Sequence, residues 1–359
     1  MEKLRVAIDA MGGDNAPSAP VRGAVHALQN HPELELILLG DEKEIRRELQ
    51  ECGFTGEGIT VINCTERIEM AEPPVLAIQN KKDSSIVKGM GLVRKKEAEA
   101  FVSAGNTGAV LVGGQVIVGR IKGVERPAIG AVMPTESGAS LLIDSGANVD
   151  ARPTWLLQYA EMGSIYMEKT LGIKNPTVGI INIGAEEEKG NALVKETFPL
   201  LKECDSINFI GSVEARDIPA GAADVLVTDA FSGNIVMKMY EGTATSLLRI
   251  IKGAFKSSVP GMIGGTIAKR TLKKALKNYD ATIYGGAPLL GVKGLVVKAH
   301  GSAKEKEFGI AVEQCATFFR ENVNGAISER MEAEAAKIRE LKKKSRSMTE
   351  ADGKETLAP

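Results

Sequence analysis

Short β-branched apolar runs alternate with helical spacing along most of the chain. Runs such as ELILLG, VGIIN, VLVT and LVVKA are apolar at nearly every position. Strands covered on both faces read this way, whereas half-exposed strands alternate. The pattern predicts strands at Leu4–Ala10, Leu34–Gly40, Ile59–Asn63, Ala100–Ser103, Ala128–Met133, Ser140–Asp144, Thr177–Asn182, Ile207–Ile210, Asp224–Thr228 and Leu295–Ala299. It predicts helices at Pro17–Gln29, Glu42–Cys52, Thr107–Arg120, Thr154–Leu171 and Asn191–Glu203. This alternation indicates an α/β fold, a three-layer α/β/α sandwich on a mostly parallel, doubly wound sheet.

Two stretches break the rhythm. More than sixty mostly helical residues separate Thr228 from Leu295, too many for one crossover, so a protruding helical insertion is expected at about 236–283. Residues 1–330 are then one catalytic domain. From Ser328 to Lys344 the spacing is helical, with Glu329, Glu332 and Glu334 first and Arg339, Lys342, Lys343 and Lys344 last, an order that suits the helix dipole. Residues 331–359 are expected to form a helical extension and a disordered tail.

Charge and composition narrow the class. Forty-five basic against 46 acidic residues leave a net charge of −1, which argues against holding nucleic acid by bulk electrostatics. The four cysteines are scattered and the three histidines lack ligand spacing, so reduced thiols and no metal site are expected. The strand pattern starts at Leu4, which predicts a chain without a leader, and no apolar stretch approaches a spanning helix. A cytoplasmic protein is expected.

The 39 glycines exceed the roughly 7% of an ordinary chain. About a third of them fall in seven loops: AMGGD, AGNTG, DSGAN, NIGAEEEKG, FSGN, YGGAPLLGVKG and AHGS. Six of the seven follow predicted strands, where open parallel sheets bind ligands. Glycine lets backbone N–H groups approach an anion, and a following helix adds its N-terminus. The loops are expected to converge at one sheet edge as an anion cradle. Asn106, Thr107, Ser232 and Asn234 could equally be ordinary N-caps. The GxGxxG, GxxxxGK[ST] and GxSxG motifs are absent, which disfavours standard dinucleotide, P-loop and nucleophile-elbow chemistry.

Eight blocks then occur in order: DAMGGDNAP (Asp9–Pro17), SAGNTGA (Ser103–Ala109), GRIKGVERPA (Gly119–Ala128), DSGANVDARP (Asp144–Pro153), GSVEARD (Gly211–Asp217), TDAFSGN (Thr228–Asn234), YGGAPLLG (Tyr284–Gly291) and KAHG (Lys298–Gly301). With them the chain resembles the bacterial phosphate acyltransferase family, PlsX, over about residues 4–325. The resemblance implies transfer of a fatty acyl group from acyl carrier protein to inorganic phosphate, giving acyl phosphate for phosphatidic acid and phospholipid synthesis. It implies no cofactor, a homodimer, and a fold like phosphotransacetylases and isocitrate or isopropylmalate dehydrogenases. It also implies a peripheral membrane association and hand-off to a membrane glycerol-3-phosphate acyltransferase.

Such a reaction needs no side-chain nucleophile, because phosphate is one. It needs donors and a cation. The candidate donors to phosphate or substrate are Gly12, Gly13 and Asp14; Ser103, Gly105, Asn106, Thr107 and Gly108; Asp144, Gly146 and Asn148; and Ser232 and Gly233. Lys189 is the main candidate cation, though it could be a solvated lysine paired with Glu186 or Glu188. Asn234 and His300 complete the catalytic candidates. Asp9, Asp14, Asp144 and Asp229 are expected to orient lysines and loop amides. Basic residues Arg120, Lys122 and Arg126, and Lys269, Arg270, Lys273, Lys274 and Lys277 opposite an apolar helical face, could meet an acidic carrier protein or an anionic membrane. Two other readings fit parts of the pattern: an NAD-dependent decarboxylating hydroxyacid dehydrogenase, and a non-enzymatic membrane-surface scaffold.

Overall fold

The computed structural model describes residues 3–275, 279 and 281–334. Eleven strands form one sheet: β1 (Leu4–Asp9), β2 (Leu34–Gly40), β3 (Ile59–Asn63), β4 (Ala100–Ser103), β5 (Ala128–Thr135), β6 (Gly138–Ile143), β7 (Thr177–Asn182), β8 (Asn208–Glu214), β9 (Val225–Val227), β10 (Ala287–Leu290) and β11 (Leu295–Lys298). Their order is β3-β2-β1-β4-β11-β10-β5-β6-β9-β7-β8. All predicted strands are present, most with shifted ends. β10 is an addition, inside the stretch read as a glycine loop.

Alternate residues of each strand serve opposite faces, as the period-2 pleat requires. Val6, Ile8, Val102 and Val297 join one apolar cluster with the helices Ser18–Asn30, Pro153–Leu171 and Glu305–Arg320. Ala7, Phe101 and Val296 face the other way, against Pro74–Asn80, Ser85–Arg94 and Thr107–Gly113. On that same face Leu142 and Leu226 pack against Val236, Met237 and Tyr240 of the helix Ala230–Lys256. The layers are therefore helix, sheet, helix. The helix predicted to run unbroken to Arg120 instead gives way at the Gly113-Gly114 pair to a π-helical turn over Gly114–Val118.

Strand direction corrects one expectation. β10 is antiparallel to both β11 and β5, and β5 is antiparallel to β6, while the remaining neighbours are parallel. β1, β4, β5 and β11 thus run one way, and β6, β7, β8 and β9 the other. The glycine loops do not share one edge. Those after β1, β4 and β11 lie at the first edge, and those after β6, β7 and β9 at the opposite one. The helix Ala230–Lys256 starts at the second edge and runs back along the sheet, since its Tyr240 hydroxyl donates to the Pro134 carbonyl near the far end of β5.

The segment between β9 and β10 holds Ala230–Lys256, then Val259–Ala275, then a short 3-10 turn at Ala281–Tyr284. Gly261 and Gly265 bring the second helix against Ala254 and Phe255 of the first. Residues 323–334 are helical, and Met331 packs on Gly123. The remainder of the predicted extension and tail, 335–359, lies outside the described residues.

The helices Ser18–Asn30 and Glu305–Arg320 cross at a pair of glycines. A Cβ on Gly23 would sit 2.6 Å from the Glu305 carbonyl oxygen and 2.8 Å from the Gly309 amide nitrogen. Both neighbours are backbone, so the helices would have to separate. Gly23→Ala is expected to cost about 1–3 kcal/mol of stability. Urea unfolding within about 0.5 kcal/mol of wild type would contradict this crossing.

Candidate active site

At the first edge, Asp9 ends β1 with its side chain buried. Its carboxylate accepts from Ser85 Oγ at 2.6 Å, Ser103 Oγ at 2.6 Å and the Met11 amide at 3.1 Å. Ser103 Oγ also accepts from the Gly105 amide at 2.9 Å. Buried carboxylates persist where such donors replace water. Gly12 has no room for a side chain: a Cβ there would strike Asp9 Oδ2 and lie 2.6 Å from Gly105 N. Gly13 turns the chain at φ +97°, and the Asp14 amide donates to the Gly301 carbonyl at 2.8 Å. The loops after β1, β4 and β11 are thereby in contact.

Lys298, the last residue of β11, joins this junction. The pairings set Lys298 beside Ser103 and Val102 beside Ile8, so Asp9, Ser103 and Lys298 form one row on one face. Lys298 Nζ donates to the carbonyls of Ala104 and Ala299. Burial pushes its ammonium down to about 8, against the pull of the Asp9 and Asp14 carboxylates.

Asn106 caps its helix through the Ala109 amide at 2.9 Å, and its Nδ2 lies 3.0–3.1 Å from the carbonyls of Glu69, Met70 and Glu72. Its side chain is thus committed to holding the 69–72 segment. Thr107 is exposed at the helix start, and Gly108 makes room for Pro74.

The second edge centres on Asp144. One carboxylate oxygen accepts from the amides of Ile129, Gly146 and Ala147, the other from the Asn148 amide and Asn148 Nδ2, all within 3.2 Å. Burial pushes this carboxyl above its ordinary value, against the pull of those five N–H groups. Asp229 caps the helix Ala230–Lys256 through the Ser232 amide and hydroxyl, both at 2.9 Å. Asn234 Nδ2 donates to the Ser145 carbonyl at 3.1 Å. A Cβ on Gly233 would collide with the Asp144 carbonyl. Lys189 belongs to the neighbouring loop after β7. It is half-exposed and pairs with Glu186 at 2.7 Å, and that hydrogen bond raises its pKa.

One contact bridges the two sets. His300 Nδ1 meets Ser302 Oγ at 2.8 Å, while Nε2 lies 3.8 Å from Glu241 of the helix that starts at the second edge. Around the loop 119–126, Arg120 binds the carbonyls of Val124 and Glu125, Lys122 approaches Glu332 at 3.8 Å, and the Arg126 and Arg152 guanidinium groups lie 5.3 and 5.6 Å from the Trp155 ring centroid. On the second insertion helix Lys269, Arg270 and Lys274 are exposed, but so are Met262, Ile263 and Ile267. Lys273 belongs to the same helix, and Lys277 lies outside the described residues.

Lys298, Ser85 and Glu241 were absent from the expected site. A signal for the first exists: β1, β4 and β11 end alike, in IDA, VSA and VKA. An apolar residue, a polar one and an alanine at three strand ends mark a common row.

Residues 4–326 match the family described as "Fatty acid synthesis protein". A protein of Clostridium botulinum named "Phosphate acyltransferase" is 47% identical over 330 residues, covering 92% of this chain and 99% of the relative. One of that name from Alkaliphilus oremlandii is 49% identical over 326 residues, covering 91% and 97%. Two solved structures share the fold: a phosphotransacetylase from Streptococcus pyogenes (TM-score 0.57, 18% identity, 88% of this chain and 93% of that one) and the EutD phosphotransacetylase from Staphylococcus aureus (TM-score 0.55, 17% identity, 88% and 94%).

Asp144 organises the second edge, so its loss should be felt as stability. Asp144→Asn would turn an N–H group toward donors that now meet an acceptor. A loss of about 2–4 kcal/mol in urea unfolding is expected. A loss under about 1 kcal/mol would show that the loop 144–148 holds without the carboxylate.

Proposed function

The chain belongs to the fatty acid synthesis protein family, and from that premise we propose that it is a phosphate acyltransferase joining a fatty acyl group to inorganic phosphate. The observation that carries this reading is the 47% identity to a protein named phosphate acyltransferase across 99% of that protein's length. The donor is a thioester of acyl carrier protein, and the product an acyl phosphate that supplies phospholipid synthesis.

In this reading a phosphate oxygen attacks the thioester carbonyl carbon. A C–O bond forms and the carbonyl oxygen takes negative charge. The C–S bond then breaks, and the thiolate leaves on the carrier's prosthetic arm. No protein nucleophile is consumed, so the chain's task is to position phosphate and to balance charge. Backbone donors at Gly12 and Gly13 suit a small tetrahedral anion. Lys189, Asn234 and His300 are proposed to act on the carbonyl oxygen and the leaving thiolate. Lys189 suits this role because its brace is an exposed ion pair, which is worth little.

Incubation with palmitoyl-acyl carrier protein and orthophosphate is expected to release free carrier protein and palmitoyl phosphate. Lys189→Ala should lower kcat/KM by about a hundredfold with unfolding unchanged. Absence of acyl phosphate from the wild type would refute the function. A fully active variant would remove Lys189 from the chemistry.

The helical insertion is proposed to serve both a second copy and a membrane surface. Its first helix exposes Phe231, Ile235 and Met239, then Leu247, Leu248 and Ile250; its second exposes Val259, Met262, Ile263 and Ile267 beside the basic residues. Such a mixture suits a homodimer that rests on anionic lipid and hands acyl phosphate to a membrane acyltransferase. No helix among the described residues is long and apolar enough to cross a membrane. Arg120, Lys122 and Arg126 are proposed to meet the acidic carrier. Replacing Lys269, Arg270 and Lys274 with Gln should weaken sedimentation with anionic vesicles, by roughly tenfold or more at low salt. Unchanged sedimentation would end the membrane role of that helix.

A further inference from the structure

The first edge carries a half-buried lysine with a donor to spare. Lys298 Nζ has three N–H donors. Two are used on the carbonyls of Ala104 and Ala299, and the third has no acceptor among the described residues. The nearby carboxylates Asp9 and Asp14 pull on its charge, but Asp9 accepts from Ser85, Ser103 and the Met11 amide. Lys298 is half-buried, and an ammonium donor left over at such a position can turn to an anion at the junction.

The surroundings specify what that ligand is. Three loops of small residues meet at Lys298. A Cβ on Gly13 would lie 2.9 Å from both Ala104 Cβ and the Gly301 carbonyl, and one on Gly12 would touch Asp9 and Gly105. Loops that approach this closely leave no room for side chains between them. The loops 11–14 and 104–106 hold no aromatic ring to stack against, and the amides of Gly12 and Gly13 suit a small oxyanion rather than a ring or a chain.

We propose that Lys298 holds orthophosphate through its third N–H, at the junction of the loops 11–14, 104–106 and 299–302, and so fixes the nucleophile of the transfer. The inference rests on the phosphate acyltransferase reading and assigns the anion's place within it. Asp9 also locks Ser103 and the turn at Met11, which fixes the loops on either side of Lys298.

The charged groups acting on Lys298 are Asp9 from β1 and Asp14 from the following loop, while His300, two residues on, faces Glu241. The loop after β4 presents none. With burial holding the ammonium at about 8, the lysine is protonated and able to bind below that pH. It loses its proton, and its hold on phosphate, as pH rises above it.

The test uses the full chain. Orthophosphate binding is measured by titration calorimetry, and KM for phosphate with acyl-acyl carrier protein as donor. Lys298→Met removes a half-buried charge and keeps the volume, so folding is expected to survive, checked by circular dichroism and urea. It should weaken orthophosphate binding and raise KM for phosphate by about tenfold to a hundredfold, with kcat at saturating phosphate little changed. Wild-type KM for phosphate should rise above a pH of about 8. Lys298→Arg, charged at every usable pH, should move that rise upward by at least a full unit. Acyl phosphate formation with phosphate affinity unchanged in Lys298→Met, or an alkaline rise at the same pH in Lys298→Arg, overturns the inference and leaves the function standing. A wild type that binds orthophosphate through Lys298 but transfers no acyl group overturns the function and leaves the anion site standing. A wild type that does neither ends both.

Discussion

The antiparallel hairpin of β5 and β6 governs where everything else in the molecule can go. The strands β1 to β5 point one way, and β6 to β9 point the other. Loops that follow strands are therefore divided between two edges, whatever their sequences. The helix Ala230–Lys256 resolves the division. It takes its cap from Asp229 at one edge and carries Glu241 to within reach of His300 from the other. A long helix is what this requires, since one helical residue advances only about 1.5 Å.

Each edge is organised by one buried aspartate, and the two are used differently. Asp144 is surrounded by N–H donors and shapes a single loop together with the start of β5. Asp9 takes two hydroxyl groups from different elements and so ties β1 to β4 and to the helix Ser85–Arg94. In neither case does the carboxylate remain available to a ligand. Asn106, Asn148, Ser232 and Asn234 likewise spend polar atoms on neighbouring groups. What distinguishes the first edge is Lys298, a half-buried lysine with a donor beyond the two spent on the Ala104 and Ala299 carbonyls.

The elements were readable because burial on both faces leaves unbroken apolar runs, as in Leu34–Gly40 and Thr177–Asn182. β10 was not, because four residues between glycines look like a loop until β11 and β5 flank them. Strand direction left no trace either: a strand covered on both faces has the same composition whether its neighbour is parallel or antiparallel. That is why the sequence pattern points the glycine loops to one edge while the structure divides them between two. The site was legible in its loops and not in its row. Asp9, Ser103 and Lys298 are far apart in sequence, and only register makes them neighbours. The match of residues 4–326 to the fatty acid synthesis protein family does not depend on where those loops lie.

β11 and β10 lie in the middle of the sheet although they come near the end of the chain, and the helix Glu305–Arg320 covers β1. During synthesis the strands β3-β2-β1-β4 and the block from β5 to β9 emerge first, with a gap between them that only residues 287–298 can fill. A ribosome adding about 5–20 residues per second must therefore finish nearly the whole polypeptide before the two blocks share one sheet. Until then β4 and β5 each present an unpaired edge, the kind of surface chaperones and nascent neighbours compete for. The lysine proposed for phosphate arrives on that same closing strand, so a truncated product would have neither a continuous sheet nor a charge to bind its substrate.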